Sequence, residues 1–181
     1  MKIPYFIPSI NEQDKKFVSN ALGQRWLTNG PMLKKFEKKF SKTVRTKYAM
    51  GVNSATSALH LSLRSLNITA ADEIIVPTFT FSATANAVEF CGAKPVLADV
   101  DYDDFNILPK EIERRITKKT KGIILVHYGG QSCDMDEILK ISNKYKVPII
   151  EDCAHALGST YKNKMCGSFG ISGCFSFYPT K

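Results

Sequence analysis

The stretch Gly122-Ile123-Ile124-Leu125-Val126-His127 decides the fold. It is apolar up to its last residue and does not alternate, so a strand built from it has no face suited to water. Glu73 to Pro77 (EIIVP), Lys94 to Asp99 (KPVLAD) and Val147 to Ile150 (VPII) read the same way. Helical patterns lie between them: Ala83 to Phe90, Pro109 to Ile116 opened by its proline, and a helix through Tyr145 behind the capping box Asp134-Met135-Asp136-Glu137. Apolar strands alternating with helices imply an α/β fold with a mostly parallel sheet covered on both faces. In such sheets ligands gather at the carboxyl ends of the strands. The polar residues there are therefore the ones to weigh: Ser54 to Ser57, Thr78 to Phe81, His127 and Tyr128, Asp152 and His155, and Ser176 to Lys181.

Outward toward the N-terminus, Asn11 to Leu22 reads as a helix capped by Asn11, with Phe17, Val18 and Leu22 facing inward. Thr28-Asn29-Gly30-Pro31 is a turn. It opens a helix whose Leu33, Phe36 and Phe40 interleave with Lys34, Lys35, Lys38, Lys39 and Lys42. Lys47 to Met50 reads as a short strand. The small and hydroxyl residues of Gly51 to Ser57 then precede the apolar helix Ala58 to Leu66. Such residues leave backbone N–H groups open at a helix start, the geometry that holds a phosphate; the same residues also suit a plain helix cap. Toward the C-terminus, Gly173 to Tyr178 reads as a buried strand running through Pro179 into a turn that ends on Lys181.

Composition narrows the class. With 181 residues and 44% apolar content the chain can bury a full core. No apolar run approaches the length of a membrane span, and Met1 to Ile10 lacks the apolar core of a signal peptide. The net charge is +8, from 25 Lys and Arg against 17 Asp and Glu. The basic helix reads as a solvated face that can attract an anionic small molecule. No nucleic-acid-binding signature accompanies it. Five cysteines without a C-x-x-C pair suit a reducing cytosol. His60, His127 and His155 lie far apart without zinc-like spacing, so no metal is expected. Neither G-x-G-x-x-G nor G-x-S-x-G is present, which argues against a nicotinamide enzyme and against a serine hydrolase.

What remains is a phosphate-binding helix start, an aromatic, an aspartate after one buried strand and a lysine after another. Pyridoxal 5'-phosphate (PLP) needs these parts: amides for its phosphate, an aromatic over its ring, a carboxylate to keep its pyridine nitrogen protonated, and a lysine for its aldehyde. Asp152 is the candidate carboxylate. Lys181 is the candidate lysine, which would also move the proton at the amino donor's α-carbon.

The sequence resembles the DegT/DnrJ/StrS family of PLP-dependent nucleotide-sugar aminotransferases. The likeness lies in WLTNGP (26–31), GVNSATSALHLSL (51–63), DEIIVPTFTFSATANAV (72–88), KPVLADVD (94–101), VHYGGQSCDMD (126–136), PIIEDCAHALGSTYKNKMCGSFG (148–170) and CFSFYPTK (174–181), in that order and spacing. The resemblance implies a three-layer αβα fold like the large domain of fold type I (aspartate aminotransferase-like) PLP enzymes. It makes Lys181 the Schiff-base lysine and Asp152 the partner of the pyridine nitrogen. Ala55 and Thr56 match the phosphate-binding helix start, where the family often has Gly-Thr, and Ser176 matches a further phosphate contact. Phe81 matches the aromatic on the ring and His155 a position near the ring hydroxyl.

The same likeness implies a cytoplasmic homodimer acting on a nucleotide sugar with an amino-acid donor, glutamate, in polysaccharide or glycan biosynthesis. The HYGG form at 127–130 points to amination at C4. Family members run well beyond this chain, so residues 1–181 read as the N-terminal segment plus most of the PLP-binding domain, with a small C-terminal domain outside it. A sugar dehydratase of the same fold and a non-catalytic fragment are the alternatives. The related dehydratase carries histidine where this chain has Lys181.

Overall fold

The structure is a computed structural model and describes residues 3, 4 and 6–181. Met1, Lys2 and Tyr5, part of the segment read for a signal peptide, lie outside the described residues. The chain divides into two compact units, residues 1–51 with 178–181, and residues 52–177.

In the first unit, α1 (Glu12–Leu22) starts at Asn11, whose side chain accepts from Asp14 N–H while the Asp14 carboxylate accepts from Asn11 N–H. This reciprocal cap is the expected one. Phe17, Val18 and Leu22 are nevertheless exposed rather than turned inward, because nothing among the described residues covers that face. In α2 (Pro31–Val44), Pro31 occupies the first turn, where its missing N–H costs no hydrogen bond, and Phe36 stacks on Phe40. Lys47–Met50 does not form the expected strand. Tyr48 and Met50 are exposed, and among the described residues no strand pairs with them.

The second unit holds α3 (Ala55–Ser65), β1 (Glu73–Pro77), α4 (Ala83–Glu89), β2 (Lys94–Ala98), α5 (Pro109–Arg115), β3 (Thr120–Val126), α6 (Met135–Tyr145), β4 (Ile149–Asp152), the hairpin strands β5 (Thr160–Tyr161) and β6 (Lys164–Met165), and β7 (Ser172–Cys174). The main sheet runs β2-β1-β3-β4-β7, parallel throughout. The expected α/β architecture is therefore present.

Several boundaries moved: α3 starts at Ala55 rather than Ala58, β3 runs from Thr120 to Val126 rather than from Gly122 to His127, and β2 stops at Ala98, one residue before Asp99. β4 extends two residues beyond Ile150, so Glu151 and Asp152 close the strand instead of following it. β7 stops at Cys174, short of the continuous strand read through Tyr178. The hairpin β5–β6 carried no sequence signal, because its turn residues Lys162 and Asn163 adopt positive φ without a glycine.

Period-two alternation sorts the strand residues into two cores. Ile74, Val76, Ile124, Ile150 and Cys174 pack with Leu59 and Leu63 of α3 and Ala87 and Val88 of α4. Ile75, Ile123, Leu125 and Ile149 pack on the opposite face with Ile112 of α5 and Met135, Ile138 and Ile141 of α6. Full burial of each such Ile or Leu contributes roughly 1.5–3 kcal/mol. Burial on both faces is why β1, β3 and β4 carry no polar alternation, whereas β2, at the sheet edge, leaves Leu97 exposed despite its apolar sequence.

Candidate active site

At the carboxyl end of β4, two adjacent acids leave the sheet on opposite faces. Asp152 follows Ile150 toward α3 and α4, and Glu151 follows Ile149 toward α5 and α6.

Asp152 is 6% exposed. Its Oδ1 accepts from Ala154 N–H at 3.0 Å and its Oδ2 from the Thr84 hydroxyl at 3.1 Å. Hydrogen bonds to both oxygens fix the rotamer. On the same side of the sheet lies the start of α3. Ser54 caps that helix by accepting from Ser57 N–H at 3.1 Å. The first two helical residues, Ala55 and Thr56, have no intrahelical acceptor for their N–H groups, and among the described residues the cap does not reach them. Alanine in place of the family's glycine retains that N–H. Eleven residues of aligned peptide dipole stand behind it, which favours an anion.

The other expected residues of this unit lie at the same end of the sheet. Phe81, just beyond β1, is 77% exposed and presents an open aromatic ring. Ser176, two residues past β7, is half-buried. His155 accepts at Nδ1 from Gly129 N–H at 3.3 Å, which places its ring proton on Nε2. Its ring meets Tyr128 edge-on at 5.7 Å. Tyr128 is also part of an aromatic cluster with Phe79 and Phe105 that sequence reasoning missed. Phe105 holds φ at 60°, a strained value for a bulky side chain. The buried Asn106 beside it fixes the loop by accepting from Tyr128 N–H at 3.0 Å. Lys181 belongs to the first unit, where its N–H donates to Tyr178 O across the Pro179-Thr180 turn.

Glu151 serves a different end. It is fully buried; its Oε1 accepts from Phe169 and Gly170 N–H and its Oε2 from Gly167 N–H, each at 2.7 Å. His127 Nε2 adds a fourth bond at 3.0 Å. Because Cys133 N–H donates to Nδ1 at 3.1 Å, the His127 proton must sit on Nε2 and point at Glu151. His127, Glu151 and Cys153 are close enough together to hold a metal. A metal at Nε2, however, would need the proton on Nδ1, directly against Cys133 N–H. Burial pushes the Cys153 thiol up to about 12. The cluster is therefore suited to holding the fold. Gly167, at φ 87°, lies so close to Gly173 that a Cβ on Gly173 would come within 2.4 Å of its Cα.

The fold and this site define a chain built like a PLP enzyme of the α/β class, with an open helix start, an oriented buried aspartate and an open aromatic at one end of a parallel sheet. It belongs to the DegT/DnrJ/EryC1/StrS aminotransferase family, whose model matches residues 8–181. It is 44% identical over 179 residues to the spore coat polysaccharide biosynthesis protein SpsC of Bacillus subtilis, covering 99% of this chain and 46% of SpsC. It is 41% identical over 180 residues to GDP-perosamine synthase of Escherichia coli O157:H7, covering 99% of this chain and 50% of that protein.

Among solved structures, the PLP-form of Streptococcus pneumoniae Spr1654 superposes with a TM-score of 0.96 at 36% identity, covering 100% of this chain and 50% of that one. Helicobacter pylori PseC, an aminotransferase of pseudoaminic acid biosynthesis, gives a TM-score of 0.93 at 35% identity, covering 99% of this chain and 48% of that one. The chain spans about half the length of the curated relatives it matches. The cofactor implied by the family is PLP, and the α3 start and Asp152 fit it. Among the described residues, no helix is long and apolar enough to cross a membrane.

Proposed function

We propose that the complete protein is a PLP-dependent aminotransferase that moves an amino group from glutamate to the C4 keto group of a nucleotide-linked sugar, as a cytoplasmic homodimer serving polysaccharide or glycan biosynthesis. The observation that carries the reading is Asp152: a buried carboxylate, fixed by donors on both oxygens, on the sheet face that also holds the α3 start. The names of the relatives support the substrate class, since they include a GDP-perosamine synthase and a spore coat polysaccharide protein.

When bound, PLP supplies an electron sink for the bonds at the donor's α-carbon. The chain's residues then have separate tasks. Ala55 and Thr56 N–H groups and the Ser176 hydroxyl bind the phosphate. Phe81 covers the ring, and His155 orients its hydroxyl. Asp152 keeps the proton on the pyridine nitrogen. Lys181 Nζ would move the proton between the donor's α-carbon and the cofactor.

The test uses the complete protein purified with PLP. Lys181→Ala is expected to abolish transamination of a nucleotide 4-keto sugar and to remove the visible absorption of lysine-linked cofactor. A Lys181→Ala protein that keeps both would overturn the assignment.

A further inference from the structure

Thr84 lies on the second position of α4 and is fully buried, on the face where Ala87 and Val88 join the apolar core. Valine would fill such a site at the same volume without a polar group to satisfy. The threonine hydroxyl instead donates to Asp152 Oδ2 at 3.1 Å. It also lies 2.8 Å from the hydroxyl of half-buried Thr80, one helical turn earlier in sequence. A hydroxyl has one proton, and that of Thr84 is committed to Asp152. Thr80 must therefore be the donor in the second contact, so the chain of bonds runs from Thr80 to Thr84 to Asp152. With Ala154 N–H on Oδ1 at 3.0 Å, each carboxylate oxygen has a fixed donor.

We propose that Thr84 is a positioning residue for the cofactor: its hydroxyl, backed by Thr80, holds the Asp152 carboxylate against the pyridine nitrogen of PLP. This rests on the aminotransferase reading above. Substitution of Thr84 acts on PLP through Asp152 alone, without contact between Thr84 and the reacting atoms.

The experiment compares Thr84→Val, Thr84→Ser and Thr80→Val in the complete protein, reading PLP affinity by absorbance titration, the pH at which the bound cofactor's spectrum changes, and the melting temperature without cofactor. Thr84→Val is expected to weaken PLP binding about tenfold, as loss of one hydrogen bond to a charged group does, and to shift the spectral transition. Its cofactor-free melting temperature stays at the parent value. Thr84→Ser restores affinity to within about threefold, and Thr80→Val loses less than Thr84→Val because the direct donor remains. Parent-like affinity and spectrum in Thr84→Val overturn the proposal, as does a serine variant as weak as the valine one. If Thr84→Val does not fold, Thr80→Val decides, and unchanged PLP affinity there overturns it. A parent protein that takes up no PLP overturns the aminotransferase reading and this proposal with it; a parent that does, beside a Thr84→Val equal to it, overturns this proposal alone.

Discussion

Glu151 and Asp152 are neighbours in one strand, yet their surroundings differ in kind. Glu151 meets four donors, three of them backbone amides of the 167–170 segment, and lies in a region that its own chain saturates. Asp152 has a hydroxyl and an amide among its partners, on the face that carries the α3 start. The strand's twofold alternation separates the two carboxylates by the thickness of the sheet. One acid is thus committed to the fold, while the next is the one to which the proposal above gives the cofactor. A buried charge that is fully bonded from within is structural.

The largest effect that can break this contrast is expected at Glu151. Glu151→Ala leaves His127 Nε2–H and the Gly167, Phe169 and Gly170 amides buried without their acceptor. Removing one partner from such a buried network costs about 3–5 kcal/mol, so thermal unfolding of the complete protein without PLP should fall far below the parent. A melting temperature within a few degrees of the parent would mean that the 167–170 segment is held by something else.

A smaller change sharpens the same contrast from the glycine side. Gly173→Ala drives a Cβ to 2.4 Å from Gly167 Cα, a backbone contact that no rotamer relieves. Overpacking of this kind costs about 1–3 kcal/mol. Measured by denaturant unfolding, Gly173→Ala should lie between Glu151→Ala and the parent. It should also lower PLP occupancy, since β7 leads to Ser176.

The sheet was legible because strands buried on both faces must be apolar at every position, as in residues 122–126. The same property hid which acid faces which side. Ile149 and Ile150 are both apolar, so the sequence before Glu151 and Asp152 contains no alternation from which to assign a face. Asp152 was singled out through the chemistry a PLP cofactor demands, whereas Glu151, whose partners are mostly backbone amides further along the chain, had no side-chain pattern to betray it. Thr84 left one trace, its i,i+4 spacing from Thr80, which reads equally well as an ordinary polar pair. The inward face assigned to α1 failed for a related reason. Periodicity identifies an apolar stripe and says nothing of what covers it.

The division of labour between the two acids is tested most directly by Asp152→Asn in the complete protein, measuring PLP affinity and cofactor-free melting temperature on the same preparation. The account predicts PLP binding weakened on the order of a hundredfold, because the buried pair with the protonated pyridine nitrogen is broken, with the melting temperature of the cofactor-free protein essentially that of the parent. An Asp152→Asn protein that binds PLP as tightly as the parent, or that unfolds as readily as Glu151→Ala, would contradict it.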